Sequence, residues 1–416
     1  MGVNRLLARH AAPVAREYLQ HFPGIVIEGA RQVGKSTLAQ HIADPNARVL
    51  TLDDEQVRAA AIADPAGFIA ESSGRQLVID EIQRLPSLTL AVKAAIDRDR
   101  RPGRFILTGS ASLLRVKGTA DSLAGRVGRL TLHGLSRGEI TGEVDDFVSI
   151  VLDSPEQITR ADGLHTRTEY AALLAAGSYP EIYAATARVR AAWFEGYVRG
   201  VVERDMSELK REVRPARSMA VLRTLAGRQS AELVKATLAN ETAVPATTIT
   251  GYIDLVHDVG LVASLPPWTP NLAKREIGRP KSFVVDSGLA LWLARVTPEQ
   301  LGRLEYGEAF GAFLEGFVAA ELLRQRTWST RRYDLLHWRD RDGDEVDIVI
   351  ELDDGRVIGI EVKSASSFTA RQFKSLARLR DALGERFVAG IVLNTGETGY
   401  RYADRLYGAP VSALWS

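Results

Sequence analysis

Gly29-Ala30-Arg31-Gln32-Val33-Gly34-Lys35-Ser36 matches the phosphate-binding pattern G-x-x-x-x-G-K-[ST] at every fixed position. The run before it, Gly24-Ile25-Val26-Ile27-Glu28, is apolar and β-branched and reads as a buried strand, while Thr37 to Ile42 has helical spacing. Strand, glycine loop and helix therefore arrive in the order that phosphate binding requires. Gly29 and Gly34 allow the backbone to turn its amides inward, and the following helix offers its positive end to an anion.

That geometry assigns roles. The loop backbone from Gly29 through Ala30, Arg31, Gln32, Val33 and Gly34 to Thr37 is expected to cradle the phosphates of ATP. Lys35 supplies a point charge to the β- and γ-phosphates, and the Ser36 hydroxyl faces Mg²⁺. Gln76-Leu77-Val78-Ile79-Asp80-Glu81 reads as a strand ending in two acids, with Asp80 for Mg²⁺ and Glu81 to orient or deprotonate water. Arg104 to Ser110 is a further strand ending in hydroxyls, so Thr108 or Ser110 is placed to sense the γ-phosphate. Arg126, in Ser122-Leu123-Ala124-Gly125-Arg126-Val127-Gly128-Arg129, is read as an arginine finger acting on the nucleotide of a neighbouring subunit, which implies a homo-oligomer.

The chain has 416 residues, 45% of them hydrophobic, enough for two to four domains with substantial cores. No apolar run reaches the ~18 residues of a membrane span, and Met1 to Leu7 lacks a signal-peptide core, so a soluble cytoplasmic protein is expected. Having no cysteine excludes disulfides and thiolate metal sites, and the seven histidines lack ligand spacing. With a net charge of +1, nucleic-acid contact must come from local asymmetry. Two basic stretches stand out. One is Lys274, Arg275, Arg279 and Lys281; the other is Arg324, Arg326, Arg331, Arg332, Arg339 and Arg341, interleaved with Trp328, Tyr333 and Trp338.

Three blocks follow. Residues 1–145 alternate strands (24–28, 48–52, 76–79, 104–108, 129–132) with helices, the pattern of a parallel α/β sheet with its ligand at the strands' carboxyl ends. Residues 165–300 are mostly helical: a helix over 230–239, a turn, a helix over 245–259, then strands at 260–265 and 281–285 predict a winged helix-turn-helix. Its second helix would present Thr247, Thr248 and Thr250 to a DNA groove, with Lys274 and Arg275 on the wing.

Residues 301–416 carry a separate constellation in an αβββαβ order: a helix over 311–325 with Glu315, strands over 333–339, 345–351 and 356–363, a helix over 369–383 and a strand over 387–393. Period-two alternation puts Glu361 and Lys363 on one face, and the hairpin brings Asp347 beside them. Two converging carboxylates call for Mg²⁺ or Mn²⁺, and the lysine can serve a water aimed at a phosphodiester. Glu345 is read as a surface acid, and Arg371, Lys374 and Arg378 as a face for a phosphate backbone. This arrangement resembles the PD-(D/E)XK nuclease core, with Glu315 as the extra helix acid, although Asp347 follows a valine instead of a proline.

The whole resembles a large prokaryotic family, AAA-type ATPases with a C-terminal domain of uncharacterised function. Its marks here are Glu28 to Ser36, Ile79-Asp80-Glu81-Ile82-Gln83, Leu107-Thr108-Gly109-Ser110, Leu123-Ala124-Gly125-Arg126, Asp286-Ser287-Gly288-Leu289 and Ile360-Glu361-Val362-Lys363. Gly177-Ser178 stands where such proteins commonly carry two glycines, and no second sensor arginine is found. The resemblance implies an α/β chain with an N-terminal P-loop ATPase domain, a winged helix and a nuclease-like end. The function expected is a Mg²⁺-dependent ATPase coupled to DNA binding and metal-dependent DNA cleavage. The alternative is an ATP-switched scaffold or regulator whose nuclease-like domain is inert.

Overall fold

The computed structural model describes residues 7–72, 74–110, 123–161, 163, 165–210, 213–270, 278–340 and 342–416. The chain forms two compact units, Met1–Leu135 with Asp258–Gly260, and Ser136–His257 with Leu261–Ser416. Within the second unit lie both the expected middle block and the expected C-terminal block.

In the first unit, helix α1 (Ala11–His21) leads into strand β1 (Gly24–Gly29), helix α2 (Lys35–Ile42) and strand β2 (Arg48–Thr51). Helices α3 (Glu55–Ala63) and α4 (Pro65–Ala70), strand β3 (Leu77–Asp80), helix α5 (Leu88–Arg98) and strands β4 (Phe105–Ser110) and β5 (Val127–Thr131) complete it. All five expected strands are present, every pairing is parallel, and their order is β2-β3-β4-β1-β5. Ile25, Val26 and Ile27 are fully buried at the centre, which is why β1 reads as a continuous apolar run. Asp54 starts α3 by accepting from the amides of Gln56 and Val57.

The second unit begins with helices α6 (Arg137–Thr141), α7 (Phe147–Asp153), α8 (Arg167–Ala176), α9 (Ala187–Gly200) and α10 (Met206–Leu209). Next come helix α11 (Pro215–Gly227), strand β6 (Ala231–Glu232), helices α12 (Lys235–Thr242) and α13 (Ile249–Asp258), and strands β7 (Val262–Leu265) and β8 (Lys281–Val284). The three strands form an antiparallel sheet in the order β6-β8-β7. The helix expected over 230–239 starts later, because Ser230 is left-handed at φ 61° and Ala231 pairs with Ser282. The helix expected from residue 245 begins at Ile249, after a turn in which the Thr248 amide donates to the Pro245 carbonyl at 2.9 Å.

A buried polar network ties this part together. Asp286 caps helix α14 (Ser287–Ala294) through the Leu289 amide at 2.6 Å and also accepts from the Ser178 amide and hydroxyl at 2.6 and 2.7 Å. Arg324 donates to the Ser178 hydroxyl at 3.0 Å, to the Val285 carbonyl at 2.8 Å and to Glu321 at 2.7 Å. Ser178 thus has a defined task in this chain: its hydroxyl links the cap to the buried arginine.

After helix α15 (Pro298–Leu301), the long helix α16 (Gly307–Gln325) is buried on most sides. Strands β9 (Tyr333–Arg339), β10 (Glu345–Leu352) and β11 (Val357–Val362) form an antiparallel meander. Helix α17 (Lys374–Leu383) then crosses to strand β12 (Phe387–Asn394), parallel to β11. The expected αβββαβ order is extended by β13 (Tyr400–Ala403) and β14 (Leu406–Pro410), giving a six-stranded mixed sheet, β13-β14-β12-β11-β10-β9. Leu376 and Leu379 of α17 pack with Val346, Val349, Val357 and Val392 in one apolar cluster. On β9, His337 donates from Nε2 to the Arg279 carbonyl at 3.0 Å, and burial pushes its imidazole below the ordinary range.

Replacing Asp286 by alanine strands three buried donors and is expected to cost about 3 kcal/mol in urea denaturation, with Asp286→Asn milder. His337 has the depressed pKa of a base that folds neutral, so its contribution to stability is present above pH ~6.5 and is lost as the pH falls below that. Stability measured from pH 7 to pH 5 should therefore fall less steeply in His337→Gln than in the wild type.

Candidate functional sites

The loop between β1 and α2 is shaped by three unusual backbone positions. Gly29 has φ 155°, and a Cβ there would stand 2.1 Å from the Leu132 carbonyl oxygen, so no other residue fits. Gln32 (φ 62°) and Gly34 (φ 95°) are left-handed, Gly34 as the N-cap of α2. Arg9 braces the loop from outside, donating to the Val33 carbonyl and the His133 carbonyl, each at 2.7 Å. Lys35 is 6% exposed, and its ammonium donates to the carbonyls of Gly29 at 3.2 Å and Ala30 at 2.8 Å. Arg31 is half-buried, whereas Thr37 is exposed at the start of α2.

Strand order brings the acids to the loop. The β3 terminus supplies Asp80, whose Oδ1 accepts from the Ser36 hydroxyl at 2.7 Å and from the Thr108 hydroxyl of β4. Thr108, fully buried, also accepts from the Glu81 amide at 3.2 Å, so its hydroxyl touches both residues of the acid pair. Glu81 is left-handed (φ 58°) and its carboxylate accepts from Gln83, whose own carbonyl accepts from the Ser110 amide at 3.3 Å. Arg9 was not singled out from the sequence, since nothing in the local pattern distinguishes it, and Gln83 was quoted only as the end of the Ile79–Gln83 mark, with no role assigned. Arg126 makes a forked ion pair with Asp97 of α5 at 2.8 and 3.1 Å, which holds that carboxyl below the usual range.

The second constellation lies in the other unit. The register Ile348↔Ile360 sets Asp347 across from Glu361, and Asp347 Oδ2 accepts from the Val362 amide at 2.9 Å. Lys363 stands 3.5 Å from Asp347 Oδ2 and pairs with Glu361, so the expected trio is assembled. Glu315 joins it from α16, and Glu345, read as a surface acid, points into the same cluster. The residue that sequence reasoning missed is Lys281. Expected in a basic surface, it is 4% exposed, with its ammonium 2.9 Å from Glu315, 3.5 Å from Asp347 and paired with Glu345. Burial pushes Asp347 up, but Lys281 and Lys363 outweigh it and hold this acid below its usual range. Burial and the charge of Asp347 push Glu315 up to about 8 and Glu361 well above its usual range.

In the aromatic-flanked and helical basic stretches most of the described cations have carboxylate partners. Arg324 is buried on Glu321, Arg331 pairs with Asp153 at 3.1 Å, and Arg332 with Asp353 at 3.7 Å. Arg326 pairs with Asp334, and Arg339 with Glu232 and Glu345. Trp328 donates to the Asp145 carbonyl at 2.6 Å and Tyr333 is buried. On α17, Lys374 meets Asp344, and Arg378 is gripped by Asp340, Asp342 and Asp344; Arg371 is exposed. Lys274, Arg275 and Arg341 lie outside the described residues. Thr247, Thr248 and Thr250 are exposed at the start of α13. Among the described residues no helix is long and apolar enough to cross a membrane.

Comparison with known proteins places these sites in a family. Residues 21–141 match the model of an AAA domain, residues 167–300 a domain of unknown function (DUF8612), and residues 310–414 another (DUF4143). The chain is 31% identical over 410 residues to the uncharacterized protein Rv2008c of Mycobacterium tuberculosis (strain ATCC 25618 / H37Rv), covering 98% of this chain and 84% of that protein. The same figures hold for the uncharacterized protein Mb2031c of Mycobacterium bovis (strain ATCC BAA-935 / AF2122/97). Among solved structures, the Thermotoga maritima RuvB Holliday junction branch migration motor is 20% identical, with 65% of this chain and 88% of that chain covered and a TM-score of 0.28. AMPPCP-bound DnaA from Aquifex aeolicus is 14% identical, with 59% and 86% covered and a TM-score of 0.29. Neither structural likeness is strong enough to carry an argument. The AAA-domain match and the full-length identity do carry one: the chain belongs to the family of these mycobacterial proteins, with an AAA-type ATPase domain at its N-terminal end.

Proposed function

We propose that the first unit hydrolyses ATP with Mg²⁺ and that the second uses the nucleotide state to control a contact with DNA or protein. The observation that carries the ATPase reading is the Ser36 hydroxyl lying 2.7 Å from Asp80 Oδ1 beside the buried Lys35. These are hard oxygens, held by hydroxyl groups whose protons can rotate away, and they fit Mg²⁺. When bound, that ion would neutralise charge on the phosphates.

The chain's own residues do the rest. The inward amides of the Gly29 to Gly34 loop hold the phosphates, and the Lys35 ammonium exchanges the carbonyls of Gly29 and Ala30 for phosphate oxygens. Glu81, steered by Gln83, orients the water for attack on the γ-phosphate. Thr108 keeps Asp80 and Glu81 in fixed relation to each other. Arg126 would serve a neighbouring subunit's nucleotide only on releasing Asp97.

For the second unit, the order α11-β6-α12-α13-β7-β8 with sheet order β6-β8-β7 supports the winged-helix reading, and the exposed threonines open the helix that on this reading would lie in a DNA groove. DNA cleavage, the further expectation for Asp347, Glu361, Glu315 and Lys363, needs a divalent ion on oxygens that two ammonium groups already neutralise. The scaffold reading is therefore the one we adopt for the C-terminal sheet.

Glu81→Gln is expected to keep ATP affinity within about threefold and to lose about 100-fold or more in kcat, whereas Lys35→Ala loses nucleotide binding itself, as read by calorimetry and phosphate release. Undiminished turnover in both variants would remove the ATPase assignment. The joint substitution of Thr247, Thr248 and Thr250 by alanine should weaken DNA binding by about tenfold in fluorescence anisotropy, without changing turnover. Unchanged binding would exclude α13 as the contact.

A further inference from the structure

The nuclease-like reading implies a divalent metal among Asp347, Glu361 and Glu315, and the side chains present do not fit one. Among the described residues no group of three or more acids, histidines or cysteines has the geometry to hold an ion. Lys281 stands in the middle instead. Its Nζ lies 2.9 Å from Glu315 Oε1 and 3.5 Å from Asp347 Oδ1 and pairs with Glu345, while Lys363 takes Asp347 Oδ2 and Glu361 from the other side. Asp347 spends Oδ2 a second time, on the Val362 amide at 2.9 Å. A hard dication would need those same oxygens at about 2.0–2.6 Å, and it cannot share them with a resident ammonium in a water-poor pocket.

Lys281 is also poorly placed to leave. It opens β8, the central strand of the three-stranded sheet, where it pairs with Glu232 on one side and Leu265 on the other. The segment after β7 is fastened to the C-terminal sheet: the His337 amide of β9 donates to the Pro266 carbonyl at 3.0 Å, and Trp268 donates from its indole to Glu351 of β10 at 3.1 Å. The backbone that carries the ammonium is thus paired on both sides, and two residues before it the Arg279 carbonyl accepts from His337 Nε2 at 3.0 Å.

We propose that Lys281 is the resident cation of this cluster, standing where a nuclease would hold its metal, so that the C-terminal sheet is a metal-free scaffold clamped to β8. The inference is independent of the ATPase reading, which survives if it fails. It differs from a loss of catalytic acids, since all the acids are present and only the cation has changed kind.

The test is Mn²⁺ titration of the nucleotide-free full chain, followed by electron paramagnetic resonance, on the wild type, Asp347→Asn, Lys281→Met and Lys281→Gln. The wild type and Asp347→Asn should bind Mn²⁺ indistinguishably, whereas a neutral residue at 281 should create a site at least about tenfold tighter that vanishes when Asp347→Asn is added. An Asp347-dependent Mn²⁺ site in the wild type would overturn the proposal. So would folded Lys281→Met and Lys281→Gln proteins that gain no such site. Should neither 281 variant fold, the comparison of wild type with Asp347→Asn decides alone.

Discussion

One carboxylate oxygen, Asp80 Oδ1, accepts from hydroxyls on two other elements, Ser36 at the head of α2 and Thr108 in β4. The nucleotide side of the first unit is organised around this point. It joins the glycine loop, the acid-bearing strand and the strand between them, which is why the order β3-β4-β1 matters more than any single motif. The close approach at Gly29 complements it from the other flank, where the Leu132 carbonyl leaves no space for a side chain. Between these constraints the loop has little freedom, and the amides aimed at a ligand are set before it arrives.

The first unit was largely legible because its signals are local. A β-branched run, two glycines at fixed spacing and a strand ending in paired acids each carry their meaning within a few residues, and all five strands fall where that reading puts them. The second unit was read less well for a physical reason. Strands β6, β7 and β8 are short, and the unit's decisive contacts join residues far apart in the chain: Ser178 with Asp286, Arg137 with Glu321, Lys281 with Glu315. The last two strands escaped because Tyr400–Ala403 and Leu406–Pro410 carry glycine, proline and surface arginine that read as loop. The trio Asp347, Glu361 and Lys363 was found by strand alternation, yet the lysine that governs it lies in another sheet and leaves no local mark.

Charge in this chain is mostly spent internally. Lysine and arginine number 53 against 52 acids, and among the described residues Arg326, Arg331, Arg332 and Arg378, from stretches that looked like nucleic-acid surfaces, each have an aspartate partner. Exposed pairs of this kind add little stability, about 0–1 kcal/mol each, but they do cancel the field that would draw a polyanion to those faces. The exposed hydroxyls at the start of α13 are uncharged and stand apart from this pairing.

The C-terminal sheet makes the same point with buried charge. Isolated carboxylates at this depth would neutralise or unfold the site, so some cation must accompany them. A divalent ion would serve, but it exchanges with solvent, and the junction between β8 and the sheet would then depend on metal supply. A lysine carried on a central strand is covalently part of the chain and persists at any ion concentration. The cost is catalytic, because an ammonium cannot polarise a phosphodiester as a dication does. On the scaffold reading proposed for the C-terminal sheet, the cluster holds β8 against that sheet and needs no such power.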